Sequence, residues 1–411
     1  MNKEIQQKIK GSATRLLPEV ISIRRDIHQH PELSFNEKNT SEKIQTFLKA
    51  KGIPFTTGWA GYGIVAHIDG SLPGPRVMFR ADMDALPINE KTDVPFQSAI
   101  PGIMHACGHD AHTASLLGVA AIVQENRDQL KGTAQFIFQP GEEKLPGGAS
   151  IMIKEGLFEK NNTAWIAAQH VFPPLPAGHV GFRNGLYMAS ADEIYITIIG
   201  KGGHAATPHL CIDPVPVSAR IISALQELIS RTLDPALPGV LTIGKIFTDG
   251  GATNVIPERV HLEGTLRAMD EDWRRKTHER LVQLVNDICH ASGAKGDVRI
   301  EIGYPCLNNH DEVTNLFRDK AIEFLGEEFV HELPLRLASE DFAFYSQKVP
   351  ATFYRLGTGF AGKENPSVHS NNFDIDESSL ETGMGLMAYV ALTHESQNAS
   401  FPCGARGCFS L

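Results

Sequence analysis

The chain has 411 residues, 42% hydrophobic and 21% charged, a balance that fits a soluble globular protein. That length exceeds what one hydrophobic core ordinarily organises, so two domains are expected. A net charge of −10 and a pI near 5.9 argue against nucleic acid or an anionic membrane as the main partner, because both select basic faces.

The opening stretch, MNKEIQQKIKGSATRLLPEV, has no apolar run of signal-peptide length, and no later stretch approaches a membrane span. The expected compartment is therefore the cytoplasm. There, cysteines 107, 211, 289, 306, 403 and 408 read as free thiols or ligands, not as a disulfide frame. LPEVISIRRDIHQHPELSF reads as a helix that stops before Pro31, and Asn36 can cap a second helix that Gly52 ends. Four apolar runs follow: GIVAHIDG, RVMFRAD, TAQFIFQP and AWIAAQHVF. The last three are nearly continuous in apolar residues, as strands buried on both faces are. A helix after Gly108, with Leu116, Leu117, Ala120 and Val123 at helical spacing, supplies one cover. The expected fold class is α/β, a mixed and largely parallel sheet covered by helices.

The pattern changes after Tyr187. DEIYITIIG alternates Ile194, Ile196 and Ile198; a helix with Ile221, Ile222, Leu225 and Leu228 follows; VLTIGKIF and ERVHLEGTLR are strands. A second helix carries Leu281, Leu284, Val285 and Ile288, and DVRIEIGYP closes the set. The order βαββαβ is that of a split-βαβ, ferredoxin-like α+β unit. The expected organisation is a catalytic domain formed by 1–187 and 303–411, with an inserted domain at 188–302.

Two familiar fingerprints are decoys. GYGIVA has the dinucleotide glycine spacing but runs into a strand, so no helix N-terminus is available for a pyrophosphate. GVLTIGKI has P-loop spacing, yet Ile246 stands where a magnesium-binding hydroxyl is required. There is no G-x-S-x-G elbow and no H-E-x-x-H helix.

The chemistry concentrates in MHACGHDAHTASLLG, where Cys107 and His109 are two residues apart at a non-helical approach to a helix. Thiolate and imidazole are natural ligands for zinc, manganese, nickel or cobalt. A capped helix with a buried thiol is the alternative. TAQFIFQP leads to Glu142 and Glu143, adjacent carboxylates at the carboxyl end of a buried strand, where α/β sheets place ligands. An acidic helix start reads the same way. AWIAAQHVF carries His170, and NPSVHSNNFD puts His369 in a polar loop; singly, each reads equally as an ordinary histidine. Together Cys107, His109, Glu143, His170 and His369 supply about what two divalent cations sharing a water need. Spacing alone leaves His105 or His112 open as a ligand instead.

In order along the chain, RRDIHQHPELSF, FRADMDALPI, MHACGHDAHTASLLG, FQPGEE, GGASIMIKEG, QHVFP, GKGGHAATPH, TNVIPE, GTLRAMD, ASEDFAFY and VHSNNFD form a pattern. It resembles the family of metal-dependent amidohydrolases and peptidases that includes aminoacylases, glutamate carboxypeptidase, hippurate hydrolase and the plant auxin-conjugate hydrolases. The hippurate and auxin-conjugate branch looks closest. The resemblance implies hydrolysis of N-acyl amino acids, with dipeptide cleavage or a non-catalytic metal-binding role as alternatives. A cysteine hydrolase built on Cys107 and His109 is a further rival. The resemblance also implies that Cys107 bridges two metals and that His109, Glu143, His170 and His369 complete the ligands, with Glu142 as general base. His204 and Asn254 would stabilise the intermediate or grip the substrate across a homodimer interface formed by the inserted domain. Arg267 is the candidate clamp for a substrate carboxylate, although a solvated strand residue reads the same way, and His204 reads equally as part of an ordinary turn. Where other branches carry His-x-Asp, this chain has Arg80-Ala81-Asp82, and arginine cannot ligate a cation. His109 is the natural replacement, which leaves Asp82 and Asp84 as supporting or structural acids. The tail with Cys403 and Cys408 matches no recognised pattern; disorder is expected there over a metal or redox role.

Overall fold

The computed structural model describes residues 2–159 and 163–394, so Cys403 and Cys408 lie outside the described residues. The chain forms two compact units. The larger comprises Met1–Gly185, Asn308–Pro334 and Asp341–Leu411; the smaller comprises Leu186–Leu307 and Leu335–Glu340. The return of 335–340 has no counterpart in the single stretch expected from sequence. Backbone bonds stitch it to the smaller unit: Arg336 N to Tyr187 O at 2.9 Å and Ala189 N to Ala338 O at 3.1 Å.

The larger unit is built on one eight-stranded sheet. Its spatial order is Phe55–Trp59, Gly63–Asp69, Lys131–Gln139, Leu72–Asp82, Thr163–Pro176, Ala351–Gly359, Val180–Phe182 and Val330–Glu332. The four central strands, from Lys131–Gln139 to Ala351–Gly359, are mutually parallel. The Gly63–Asp69 strand joins antiparallel and is followed by the short Phe55–Trp59 strand, which makes the sheet mixed. Burial explains the apolar runs: every residue of Ala351–Gly359 is buried. Helix His109–Glu125 is buried from His109 through Val123 and packs against helices Asn2–Gln29 and Ser379–Thr393. Among the described residues no helix is long and apolar enough to cross a membrane, and Cys107, Cys211, Cys289 and Cys306 are free.

Two helix boundaries differ from expectation. The first helix runs from Asn2, not Leu17, and passes straight through Pro18. Ile5, Ile9, Ala13, Leu16, Val20 and Ile27 form a continuous buried stripe, and that packing outweighs the missing amide of Pro18. The second helix, Lys38–Ala50, is not capped by Asn36, whose side chain donates to Ser34 O. The Glu32 carboxylate takes the orphan amides instead, from Asn39 N at 3.0 Å and Thr40 N at 2.9 Å.

In the smaller unit, strands Asp192–Ile199, Val240–Thr248, Arg259–Arg267 and Lys295–Ile302 form an antiparallel sheet ordered second, third, first, fourth. Helices Pro214–Thr232 and Glu271–Ala291 pack on the apolar side of the strands. Ile194, Ile196, Ile198, Val260 and Leu262 meet Ile221, Leu225, Leu281 and Val285 there. This is the split-βαβ arrangement.

Candidate metal centre

The parallel register brings the carboxyl ends of three strands to one edge. Asp82 lies opposite Gln139, and Arg80 lies opposite Ala168. Immediately beyond come Asp84, then Glu142 and Glu143, then His170, at the edge where α/β sheets hold ligands. The helix that starts at His109 faces the same edge. Gly108, at φ 79°, makes the left-handed turn that separates Cys107 from His109, and a Cβ there would stand 2.6 Å from the Val171 side chain. His369 also has a left-handed backbone, φ 65°, and is tied to the turn before Cys107 by His369 N to Ala106 O at 2.7 Å.

These segments assemble all five expected ligand residues within the larger unit. Cys107, His109 and His170 form one cluster whose donor atoms lie within 4.8 Å of one another; Cys107, Glu143 and His369 form another. Cys107 belongs to both. Its Sγ is 3.4 Å from His170 Nε2, and His369 Nε2 is 3.2 Å from Glu143 Oε1. The tautomers are set from behind. His170 Nδ1 donates to Val171 O at 2.8 Å, and His109 Nδ1 faces Asp84 Oδ1 at 3.2 Å, so both Nε2 atoms point into the pocket. His109 Nε2 is buried with no hydrogen-bond partner among the described residues. An orphaned imidazole nitrogen among a thiol, two further imidazoles and a carboxylate is the donor set of a transition-metal centre. Glu142 is buried beside it, grouped with His109 and Glu143.

The alternative histidines resolve on contacts. A further cluster, Asp82–His109–His112, is close enough for an ion, but both His112 nitrogens are occupied. Nε2 accepts from Val171 N at 2.8 Å and Nδ1 donates to Asp82 Oδ1 at 2.6 Å. His105 joins no cluster; burial pushes its imidazole down to about 3, so it stays neutral. Arg80, fully buried, donates to Asp82 Oδ2 at 2.6 Å, Asp341 Oδ1 at 2.6 Å and Gln139 Oε1 at 2.9 Å. It fills the floor of the pocket as an ion-pair hub, and Asp82 is shared between Arg80 and His112.

The field in the pocket is anionic. Burial alone would expel the proton of His109, yet Asp82, the Cys107 sulfur and Asp84 hold it well above the ordinary imidazole range. Contacts with Cys107 and Glu143 hold His369 at about 10. Burial, then Glu143, push the Cys107 thiol up, while burial and Arg355 hold His170 well below its usual value. A divalent cation satisfies the same field by displacing the protons.

The other expected site residues lie in the smaller unit. His204 and Asn254, fifty positions apart, are brought together by a two-stranded ribbon pairing Gly203–His204 with Val255–Ile256; Ala205 N bonds Asn254 O at 3.0 Å. His204 is exposed, and its Nδ1 accepts from Ala206 N at 3.0 Å, which leaves Nε2–H as the outward donor. Arg267 is partly buried and bonds Thr265 Oγ1 and Leu266 O, but it pairs with no carboxylate among the described residues.

Comparison with known proteins places the chain. The model of peptidase family M20/M25/M40 matches residues 78–393. The chain belongs to this family. As an M20-family protein it is a hydrolase, and its relatives include both amidohydrolases and carboxypeptidases. It is 40% identical over 307 residues to an N-acyl-L-amino acid amidohydrolase of Geobacillus stearothermophilus, covering 75% of this chain and 82% of the relative. It is 38% identical over 386 residues to an N-acetylcysteine deacetylase of Bacillus subtilis (strain 168), covering 93% and 97%. A crystal structure of a Bacillus subtilis protein described as a dinuclear metal-binding peptidase from the M20 family superposes with a TM-score of 0.79. It shares 34% identity and covers 92% of this chain and 98% of its own.

Sequence reasoning on this M20 chain left Asp84 among the supporting acids and gave Glu37 no role. Both carboxylates accept backbone amides of the Gly141–Glu143 turn. Arg80 carries a direct test. Replacing it with Met strands Asp82 and Asp341, both fully buried, without their shared cation. Arg80→Met is expected to lower the stability of the metal-free protein by ~3–5 kcal/mol, the usual cost of removing one partner from a buried ion pair. Urea denaturation checks this, and a loss below about 1 kcal/mol would contradict the ion-pair role.

Proposed function

We propose that the protein hydrolyses the amide bond of N-acyl amino acids at a centre of two divalent cations held by Cys107, His109, Glu143, His170 and His369. One observation carries the reading: two ligand clusters meet at a single buried thiol, with an additional buried carboxylate, Glu142, alongside. Manganese, zinc, nickel and cobalt all suit these donors. When bound, the cations supply Lewis acidity, lowering the pKa of water and polarising the scissile carbonyl. Glu142 takes a proton from the attacking water on its carboxylate and delivers it to the leaving nitrogen. Asp82 and Asp84 keep the imidazoles oriented. The half-buried Arg267 guanidinium, which feels Asp192 and Glu193 but makes no salt bridge among the described residues, suits the carboxylate of an amino-acid product. The two relatives named for N-acyl amino acid substrates support this choice.

Dialysis against a strong chelator should abolish hydrolysis, and manganese, zinc, cobalt or nickel should restore it. A panel of N-acyl amino acids should be cleaved in preference to dipeptides. Full activity in metal-free protein would return the thiol chemistry of Cys107 to consideration, and a dipeptide preference would overturn the substrate class.

Glu142→Gln should keep the metal and lose turnover by ~10² or more, the usual size of a general-base contribution. Glu143→Gln should instead lower metal occupancy. If both variants lose metal equally, and Glu142→Gln loses no more turnover than metal, the division of labour is wrong.

We further propose a homodimer through the smaller unit, in which the partner subunit's His204 and the partner subunit's Asn254 serve each metal centre. The outward Nε2–H of His204 is the right donor for an oxyanion. Mixing His204→Ala with Glu142→Gln protein, each nearly inactive, should recover activity on subunit exchange, because one hybrid site is complete. No recovery, with exchange shown by mass, would place His204 in service of its own chain or of none.

A further inference from the structure

Away from the metal centre, the larger unit holds a second pair of imidazoles that the proposed reaction does not use. His179 lies in the turn between strands Thr163–Pro176 and Val180–Phe182, and His331 lies on Val330–Glu332, the last strand of the sheet. Those two short strands pair in parallel, with Val330 opposite Val180 and His331 opposite Gly181. The register brings the rings together across 152 positions of sequence, and His179 Nδ1 stands 2.8 Å from His331 Nε2.

The backbone holds both residues in place. His179 N donates to Pro176 O at 3.2 Å, and its carbonyl accepts from Gly357 N at 2.8 Å, which ties the turn to the neighbouring Ala351–Gly359 strand. The Phe329 ring packs on His179 with centroids 5.0 Å apart, and the two imidazoles stack with centroids 5.1 Å apart. Both residues are half-buried, so small solutes reach the pair.

At this distance two neutral imidazoles share one proton, an N–H facing a lone pair. Burial, then His331, holds His179 below the ordinary imidazole range, so a second proton is resisted. Neither ring pairs with a carboxylate among the described residues. Glu332, next along the strand, takes the opposite face and is bound by Arg318 at 3.0 Å. The far nitrogens, His179 Nε2 and His331 Nδ1, make no hydrogen bond to protein among the described residues. A tautomer shift that moves the shared proton to one of them leaves two lone pairs side by side, and no proton is lost to solvent.

Spacing selects the ligand. Two imidazole nitrogens bound about 2.0 Å from one cation at a right angle stand about 2.8 Å apart, whereas a tetrahedral angle sets them about 3.3 Å apart. The observed 2.8 Å suits right-angled coordination with the rings turned toward a common point and neither strand moved. We propose that His179 and His331 chelate one nickel(II)- or copper(II)-class cation, separate from the centre described above, and so clip the last strand of the sheet to the turn before Val180–Phe182. No third ligating side chain among the described residues joins the pair, so water fills the remaining positions. The clip reinforces a pairing only three residues long on each side. A cation held by the folded chain alone stabilises it by mass action.

Nickel(II) is the probe, because copper(II) would oxidise free thiols such as Cys211. Protein already filled with zinc is dialysed against nickel, and metal per chain is counted. His179→Gln and His331→Gln each remove one ligand and keep a hydrogen-bonding side chain. Each should weaken uptake of the added nickel by ~10-fold or more, at least the cost of losing a ligand's supporting partner, with hydrolysis unchanged. Nickel that exchanges into the main centre does so alike in wild type and variants, so the difference reports the pair. In wild-type protein, nickel should also slow hydrogen exchange in 178–182 and 329–333 by ~10-fold or more.

Equal uptake by all three proteins would leave a plain hydrogen-bonded pair, and uptake lost in only one variant would leave a single-histidine site; either overturns the proposal. A fall in hydrolysis in step with the nickel overturns the separation from the main centre. If a variant does not fold, the exchange measurement on wild-type protein decides, and unchanged exchange in either segment overturns the clip.

Discussion

Buried negative charge is the constraint around which the larger unit is organised. Asp82, Asp84 and Glu142 are each under 7% exposed and converge on one edge of the sheet, with the Cys107 thiol beside them. A carboxylate in such surroundings persists only if it is paired or fully hydrogen-bonded. Arg80 and His112 answer Asp82 from below, and backbone amides answer Asp84 from the side. The protons held on His109 and His369 show that the front of the pocket still calls for positive charge. The parallel strands and the buried helix exist, in this sense, to deliver acids, thiol and imidazoles to one place from which water is largely excluded.

That logic accounts for what the sequence makes legible. Strands covered on both faces must be apolar throughout, so TAQFIFQ and AWIAAQHV announce themselves, and the alternation of Ile194, Ile196 and Ile198 announces a half-covered sheet. The Phe55–Trp59 strand at the edge of the sheet is partly or fully exposed at every residue and carries no such pattern. The first helix begins fifteen residues before its expected start because a stripe of buried side chains, invisible to local propensity, carries it past Pro18. Capping misled for a similar reason: Asn36 has the right chemistry beside the helix, but Glu32 reaches the amides from seven and eight positions away.

At the site, residue types were readable and hydrogen bonds were not. His105, His109 and His112 are equivalent on spacing. They separate only once His112 is seen to accept from Val171 N, 59 positions along, while His109 keeps a bare nitrogen. Asp84 looks like any acid after a strand, since two of its partners are main-chain amides 58 and 59 residues later, and an amide has no signature in a sequence. In the smaller unit, the glycines of GKGGHAATPH hint at close approach, but the pairing of His204 with the strand that follows Asn254 depends on a ribbon of two residues a side.

The left-handed backbone of His369 has an evolutionary consequence. A β-carbon in that conformation costs on the order of 1 kcal/mol, and glycine would adopt it freely. Replacement by glycine would therefore relax the chain while deleting an imidazole from the cluster. Copies of the gene freed from selection for hydrolysis have a downhill route toward sturdier, inert proteins at this position. A lineage that kept both the turn and the histidine would thereby record selection for chemistry over folding.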